Sequence, residues 1–93
     1  MPAYMISYDL RRVRNYDHLI KQLKDWGCVR PLQSLWLGNL KGNAVTVRDI
    51  LKQLMDADDG LIVCEIKPTG DWATFQLIDN TESVAWIRAN IGA

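Results

Sequence analysis

No stretch of this chain stays apolar for the roughly 20 residues that a membrane-spanning helix needs. Its first residues also lack the basic-then-apolar pattern of a secretory signal. The expectation is a soluble, cytoplasmic protein with no membrane partner. Histidine is nearly absent: His18 is alone, with no Cys or His partner at ligand spacing. The two cysteines, Cys28 and Cys64, are far apart and have no metal-ligand spacing, which excludes a zinc pattern and suggests two reduced structural thiols. Cys64 falls inside the apolar run Leu61 to Ile66, where a free thiol is expected to pack as a small core hydrophobe. There is no glycine-rich phosphate loop, and Thr69-Gly70 is too short to be one. No Ser-His-Asp order, low-complexity tract or internal repeat is present. Net charge is zero, which argues against a strongly basic nucleic-acid binder.

What remains is a chain of 93 residues, 48% of them hydrophobic. That length suits one domain spanning 1–93. A domain of this size buries only roughly 60–65% of the surface its unfolded chain exposes, so dimerisation would help it. The charge is unevenly spread. Residues 1–52 carry nine Lys/Arg and four Asp/Glu, whereas residues 53–93 carry two and seven. Such a split can leave one basic face on a neutral molecule, unless folding mixes the halves.

Residues 3–8 (AYMISY) read as a buried strand. Asn15 is a good N-cap, Leu19, Ile20, Leu23 and Trp26 recur at helical spacing, and Gly27 is a stop signal, giving a helix at about 16–26. Residues 28–40 are extended in character. Pro31 excludes a helix interior, so the stretch is either one bent strand or two short strands pivoting near Gln33 and Ser34. A second helix is expected at about 44–56, with Thr46 and Asp49 as a weak capping box. After the acidic turn Asp56 to Gly60, Leu61 to Ile66 is the clearest strand. Residues 72–77 (WATFQL) alternate enough to suggest a further strand, and Asp79 and Glu82 frame a short helix at about 80–90. The implied class is α+β: a ferredoxin-like β-α-β-β-α-β sandwich with a core at 3–67. An extra strand and short helix at 68–93 would extend it.

Asp9 ends the first strand and is followed by Arg11, Arg12 and Arg14. A carboxylate at a strand's C-terminal end can hold a divalent metal, and arginine forks suit phosphate. One carboxylate is a poor metal site, so the arrangement makes most sense if a second copy supplies another. The bland alternatives are an Asp9 that caps the turn by bonding backbone N–H groups and a solvated arginine loop. Arg30 and Lys41 are further candidates for phosphate contact. Trp26 and Trp86 fall on apolar helix faces and are expected in the core. Trp36 is expected in the core or an interface, and Trp72 stays open as a base-stacking platform.

The strand ending in Tyr8-Asp9, the arginine cluster, the helix closed by Gly27 and the run Arg30…Gln33-Ser34-Leu35-Trp36-x-Gly38-x-Leu40 have a familiar order. Together with Asp56, Asp58, Asp59 and the strand Leu61 to Ile66, it resembles the CRISPR-associated protein family called Cas two. The virulence-associated protein D toxins share that fold. The likeness covers roughly residues 3–67. The chain departs from the pattern at Leu37, where the family has glutamate, and at Gln33 and Ser34, which are adjacent where the family has a spacer.

The resemblance implies a ferredoxin-like homodimer. In it, the two Asp9 carboxylates face each other across the two-fold axis and share Mg2+ or Mn2+. Arg11, Arg12, Arg14 and Arg30 would hold nucleic acid. Some members cleave RNA or double-stranded DNA in a metal-dependent way, with the residue matching Asp9 as catalytic. In others the dimer is a scaffold for integrating new spacers beside an integrase partner. Two functional readings therefore stand, a metal-dependent endonuclease and a non-catalytic scaffold for nucleic acid or a protein. A small regulatory interaction domain is a third, since fold alone does not fix function.

Overall fold

The computed structural model describes residues 1–11 and 17–92. Four strands and three helices follow in the order β1 (Ala3–Asp9), α1 (Asp17–Asp25), β2 (Val29–Leu32), β3 (Leu35–Asn39), α2 (Ala44–Lys52), β4 (Gly60–Ile66) and α3 (Asn80–Asn90). The strands form one sheet in the order β2-β3-β1-β4, with every neighbouring pair antiparallel. β2 and β3 close a hairpin whose turn is Gln33-Ser34, so residues 28–40 form two strands.

Alternation along β1 decides the layering. Tyr4, Ile6 and Tyr8 point to one face and pack with Trp36 and Leu40 against Leu19 and Leu23 of α1 and Val47 and Leu51 of α2. Met5 points to the other face. There it joins Val29, Leu35, Leu37 and Ile66 in a second cluster closed by Trp86, Ile87 and Ile91 of the α3 segment. Two helices thus cover one face, and α3 covers part of the other. Asn39 fixes α3 in place. It accepts from Trp86 Nε1 at 3.0 Å and donates to Asn90 Oδ1 at 2.9 Å.

Local chemistry explains the boundaries. After α1, Gly27 takes φ +77, a left-handed conformation that glycine adopts without a Cβ clash. Gly27 N–H bonds the Lys24 carbonyl and Cys28 N–H bonds that of Leu23, the paired closure of a Schellman motif. At α2 the cap is Asn43, whose side chain accepts from Thr46 N–H at 2.9 Å. This corrects the Thr46–Asp49 box, because Thr46 is the donor to the cap. α2 also ends at Lys52, before the expected 56, and the chain turns through 53–55. The Asn15 cap lies outside the described residues.

The extra strand at 72–77 is absent. Trp72 turns into the second cluster and donates to the Gly92 carbonyl at 3.1 Å, which makes it a packing residue. Phe75 stays 81% exposed, and Gln76 takes φ +53, which breaks the extended run. The nearest sheet edge is β2, where Pro31 has no N–H to offer a new ladder. A lone bond from Ile78 N–H to the Pro31 carbonyl, 3.0 Å, ties this segment to β2. Cys64 is a second correction. It is exposed, because β4 is an edge strand and α3 does not reach that corner of the sheet. Trp36 is 1% exposed and Trp26 and Trp86 pack against the two clusters, as core residues should. Among the described residues no helix is long and apolar enough to cross a membrane.

Candidate nucleic-acid interface

β1 and the β2-β3 turn deliver the candidate residues to one end of the sheet. β1 runs antiparallel to β3, so its C-terminal end lies beside the start of β3, and Tyr8 N–H bonds the Ser34 carbonyl at 3.1 Å. A shallow cleft of about 270 Å³ opens there, lined by Tyr8, Asp9, Leu10, Ile20, Arg30, Gln33 and Ser34. It brings together Asp9 and Arg30, which are 21 positions apart in the chain. Lys41 follows the other end of β3 and does not join them.

The cleft wall is a connected polar network. Trp36 donates its indole N–H to the Tyr8 hydroxyl at 3.0 Å, and that hydroxyl reaches the Gln33 carbonyl at 3.4 Å. Arg30 donates to the same carbonyl through Nε at 2.9 Å and Nη2 at 2.7 Å. Its guanidinium carbon lies 5.0 Å from the Trp36 ring centroid, a cation–π distance. The fork is thus held flat at the turn, and Nη1 makes no hydrogen bond among the described residues. A planar fork held this way suits a phosphate oxygen.

Asp9 is more exposed and is already partnered. Its Oδ2 accepts from Arg11 Nε at 3.1 Å, with the Asp9 side chain 72% exposed. Arg11 also binds the acidic turn. Its backbone N–H bonds Asp59 Oδ1 at 2.9 Å, and its Nη1 bonds the Asp58 carbonyl at 3.2 Å. Gly60 makes room for this, since a Cβ there would stand 2.9 Å from Arg11 Nη2. Arg11 therefore ties the end of β1 to the start of β4. Sequence reading gave it only a phosphate role and missed this tie. The signal was the glycine directly after the aspartate-rich turn. Arg12 and Arg14 lie outside the described residues.

Asp56, Asp58 and Asp59 bring carboxylate oxygens within 4.8 Å of one another and could hold a cation. Asp59 already spends both oxygens on N–H groups, one from Arg11 and one from Asp56 at 2.9 Å. Magnesium takes one or two carboxylates and completes its octahedron with water. A single Asp9 with Arg11 against one oxygen fits that poorly. Two Asp9 carboxylates from two copies fit it in donor type and number. The cleft holds no histidine, and His18 is exposed on α1. No protein-family model and no solved structure matches the chain.

Proposed function

We propose that this chain is a nucleic-acid-binding homodimer of the Cas two type, built as a ferredoxin-like sandwich. The strand order β2-β3-β1-β4, with β1-α1-β2 and β3-α2-β4 interleaved, supports the fold. The observation that carries the function is the convergence of Asp9 and the Trp36-backed Arg30 fork on one cleft at the end of the sheet. Arg30 contacts phosphate, and Arg11 adds positive charge at the end of β1; Arg12 and Arg14, outside the described residues, complete the candidate set. The ligand is RNA or double-stranded DNA.

In the catalytic form of this reading, two Asp9 side chains share Mg2+ or Mn2+ across the dimer, and the protein hydrolyses phosphodiester bonds. The metal would polarise a phosphoryl oxygen or lower the pKa of an attacking water. In the scaffold form the dimer binds nucleic acid without cutting it, alone or with an integrase partner. The Asp9–Arg11 pair favours the scaffold form, because it engages one of the two oxygens a metal would use. Among the described residues the cleft offers no histidine as a general base, which favours it too.

The test is a cleavage and binding assay on labelled single-stranded RNA and duplex DNA, with wild type and Asp9→Ala, in magnesium, manganese or chelator. Metal-dependent cleavage lost in Asp9→Ala assigns the nuclease. Salt-sensitive binding without cleavage assigns the scaffold. No binding at low salt ends the nucleic-acid reading.

A further inference from the structure

Lys41 lies at the far end of β3 from Asp9 and Arg30 and takes no part in their cleft. It borders a second cavity, of about 440 Å³, where the end of α1, the end of β3 and α2 meet. That volume is of the size that holds small molecules. The apolar wall is Trp26, Leu40, Val47 and Ile50. Leu40 and Val47 belong to the first core cluster, so this floor is firmly packed, whereas Ile50 is 41% exposed.

Charge on the lining has one sign. Among the described residues Lys41 is its only charged side chain, and no Asp or Glu lines it. Lys41 makes no ion pair among the described residues, and the first turn of α2 beside it carries no acidic group. The other clefts differ. Between α2 and β4, Arg48 and Lys52 share a cavity with Asp56 and Asp59, and the candidate cleft holds Asp9 with Arg30.

The uncommitted polar groups here are donors. Neither the Lys41 ammonium nor Trp26 Nε1–H makes a hydrogen bond among the described residues. The acceptors are engaged: Asn39 Oδ1 accepts from Trp86 Nε1, and the Gly42 carbonyl accepts from the Tyr4 hydroxyl at 2.8 Å. That bond also pins the Lys41-Gly42 corner to β1, and the Asn43 cap pins it to α2. The corner is thus preorganised, which lowers the entropy cost of binding.

We propose that this cavity binds a small aromatic carboxylate, with its ring against Trp26 and its carboxylate on Lys41. One cation matches one negative charge, whereas a phosphate dianion would bring a second charge without a partner. A cationic ligand would meet Lys41 as a like charge. A strongly polar neutral ligand would set hydrogen-bonding groups against hydrocarbon. An aromatic body gains ring contact with Trp26 beyond its buried area. The ammonium–carboxylate bond is charge-assisted, and the apolar wall beside it strengthens it by lowering the local dielectric. Binding there is independent of the nucleic-acid reading.

The experiment is calorimetric titration of the full chain with naphthoate, neutral naphthamide and naphthylmethylammonium, with amide NMR of the labelled protein to locate each ligand. Naphthoate is expected to bind about tenfold more tightly than naphthamide, and the ammonium not at all. The shifts should centre on Gly42, Thr46 and the Trp26 indole. Lys41→Met should abolish the preference for naphthoate and leave naphthamide binding in place. Lys41→Glu should transfer the preference to the ammonium. Spectra unchanged away from the cavity show that both variants keep the fold. No binding of naphthoate at millimolar concentration overturns the proposal, as does equal affinity for naphthoate and naphthamide. Shifts at Asp9 and Ser34 in place of Trp26 overturn it too. So does tighter binding of adenosine monophosphate at the same signals, which would make the cavity a nucleotide site.

Discussion

Trp36 and Tyr8 meet across the first core by a hydrogen bond from the indole N–H to the phenol oxygen, 3.0 Å long and sealed from solvent. This bond links the packing of the sheet to the turn that holds Arg30. Tyr8→Phe keeps the ring and removes the acceptor, leaving the indole N–H buried and unpaired. The expected loss is about 1–3 kcal/mol of stability, read from the midpoint of urea unfolding at unchanged slope. A variant within about 0.3 kcal/mol of wild type would mean that the indole finds another acceptor.

Arg11 and Arg30 should separate in a binding titration. Arg11 is spent on Asp9 and the acidic turn, whereas Arg30 lines the cleft and its Nη1 makes no hydrogen bond among the described residues. Arg30→Ala is expected to lower the salt slope of nucleic-acid binding by about 0.7–0.9. Arg11→Ala is expected to change it less. Equal slopes for the two variants would place the phosphate contact elsewhere. In denaturant, loss of the exposed Asp9–Arg11 pair should cost less than about 1 kcal/mol.

Gly38 is needed for packing. A Cβ at this position would stand 2.5 Å from Cys28 Sγ and 3.3 Å from its Cβ. Gly38→Ala should therefore destabilise by about 1–3 kcal/mol as the β2-β3 pair is pushed apart. Adding Cys28→Ala removes the sulfur and should recover part of the loss, which a double-mutant cycle would read as coupling. Strict additivity would show that the two sites do not meet.

The two thiols should differ in reactivity. Burial pushes Cys28 up from 9.0 to about 11, because the thiolate loses its hydration. Above pH 9 the unfolded thiol ionises while the folded one keeps its proton. Stability from this group is thus fully present below pH 9.0 and declines as pH rises toward about 11. A pH series of unfolding midpoints should show that decline in wild type and flatten in Cys28→Ala. A maleimide reagent near neutral pH should label Cys64 first, and simultaneous labelling would contradict the burial of Cys28.

Much of the fold is local in origin and can be read from the chain. Gly27 ends α1, Gln33 and Ser34 turn the hairpin, and the place of α3 follows from the spacing of its apolar residues. The misses are long-range. WATFQL has the alternation of a strand, but a strand also needs a partner, and the edge nearest to it is capped by Pro31. Leu61 to Ile66 looks like a central strand by composition, yet its place at the edge depends on where β1 and β3 pair. The candidate site divides in the same way. The chain itself places Asp9 at the end of a strand and Arg30 in an extended stretch, and antiparallel pairing brings them to one cleft. It does not show that Arg11 turns toward the aspartates, because that depends on the return of β4 some 48 positions later.

The asymmetry between the two sheet borders has one more consequence. A sheet that is open on both sides can add chains without limit and grow into a fibre. This one carries a stopper on its β2 side, formed by Pro31 and the strap from Ile78. Strand addition on that side is blocked, because an incoming strand meets a residue without an N–H and a carbonyl already taken. Removing the stopper, by changing Pro31 and loosening the strap, would leave both borders open to strand addition.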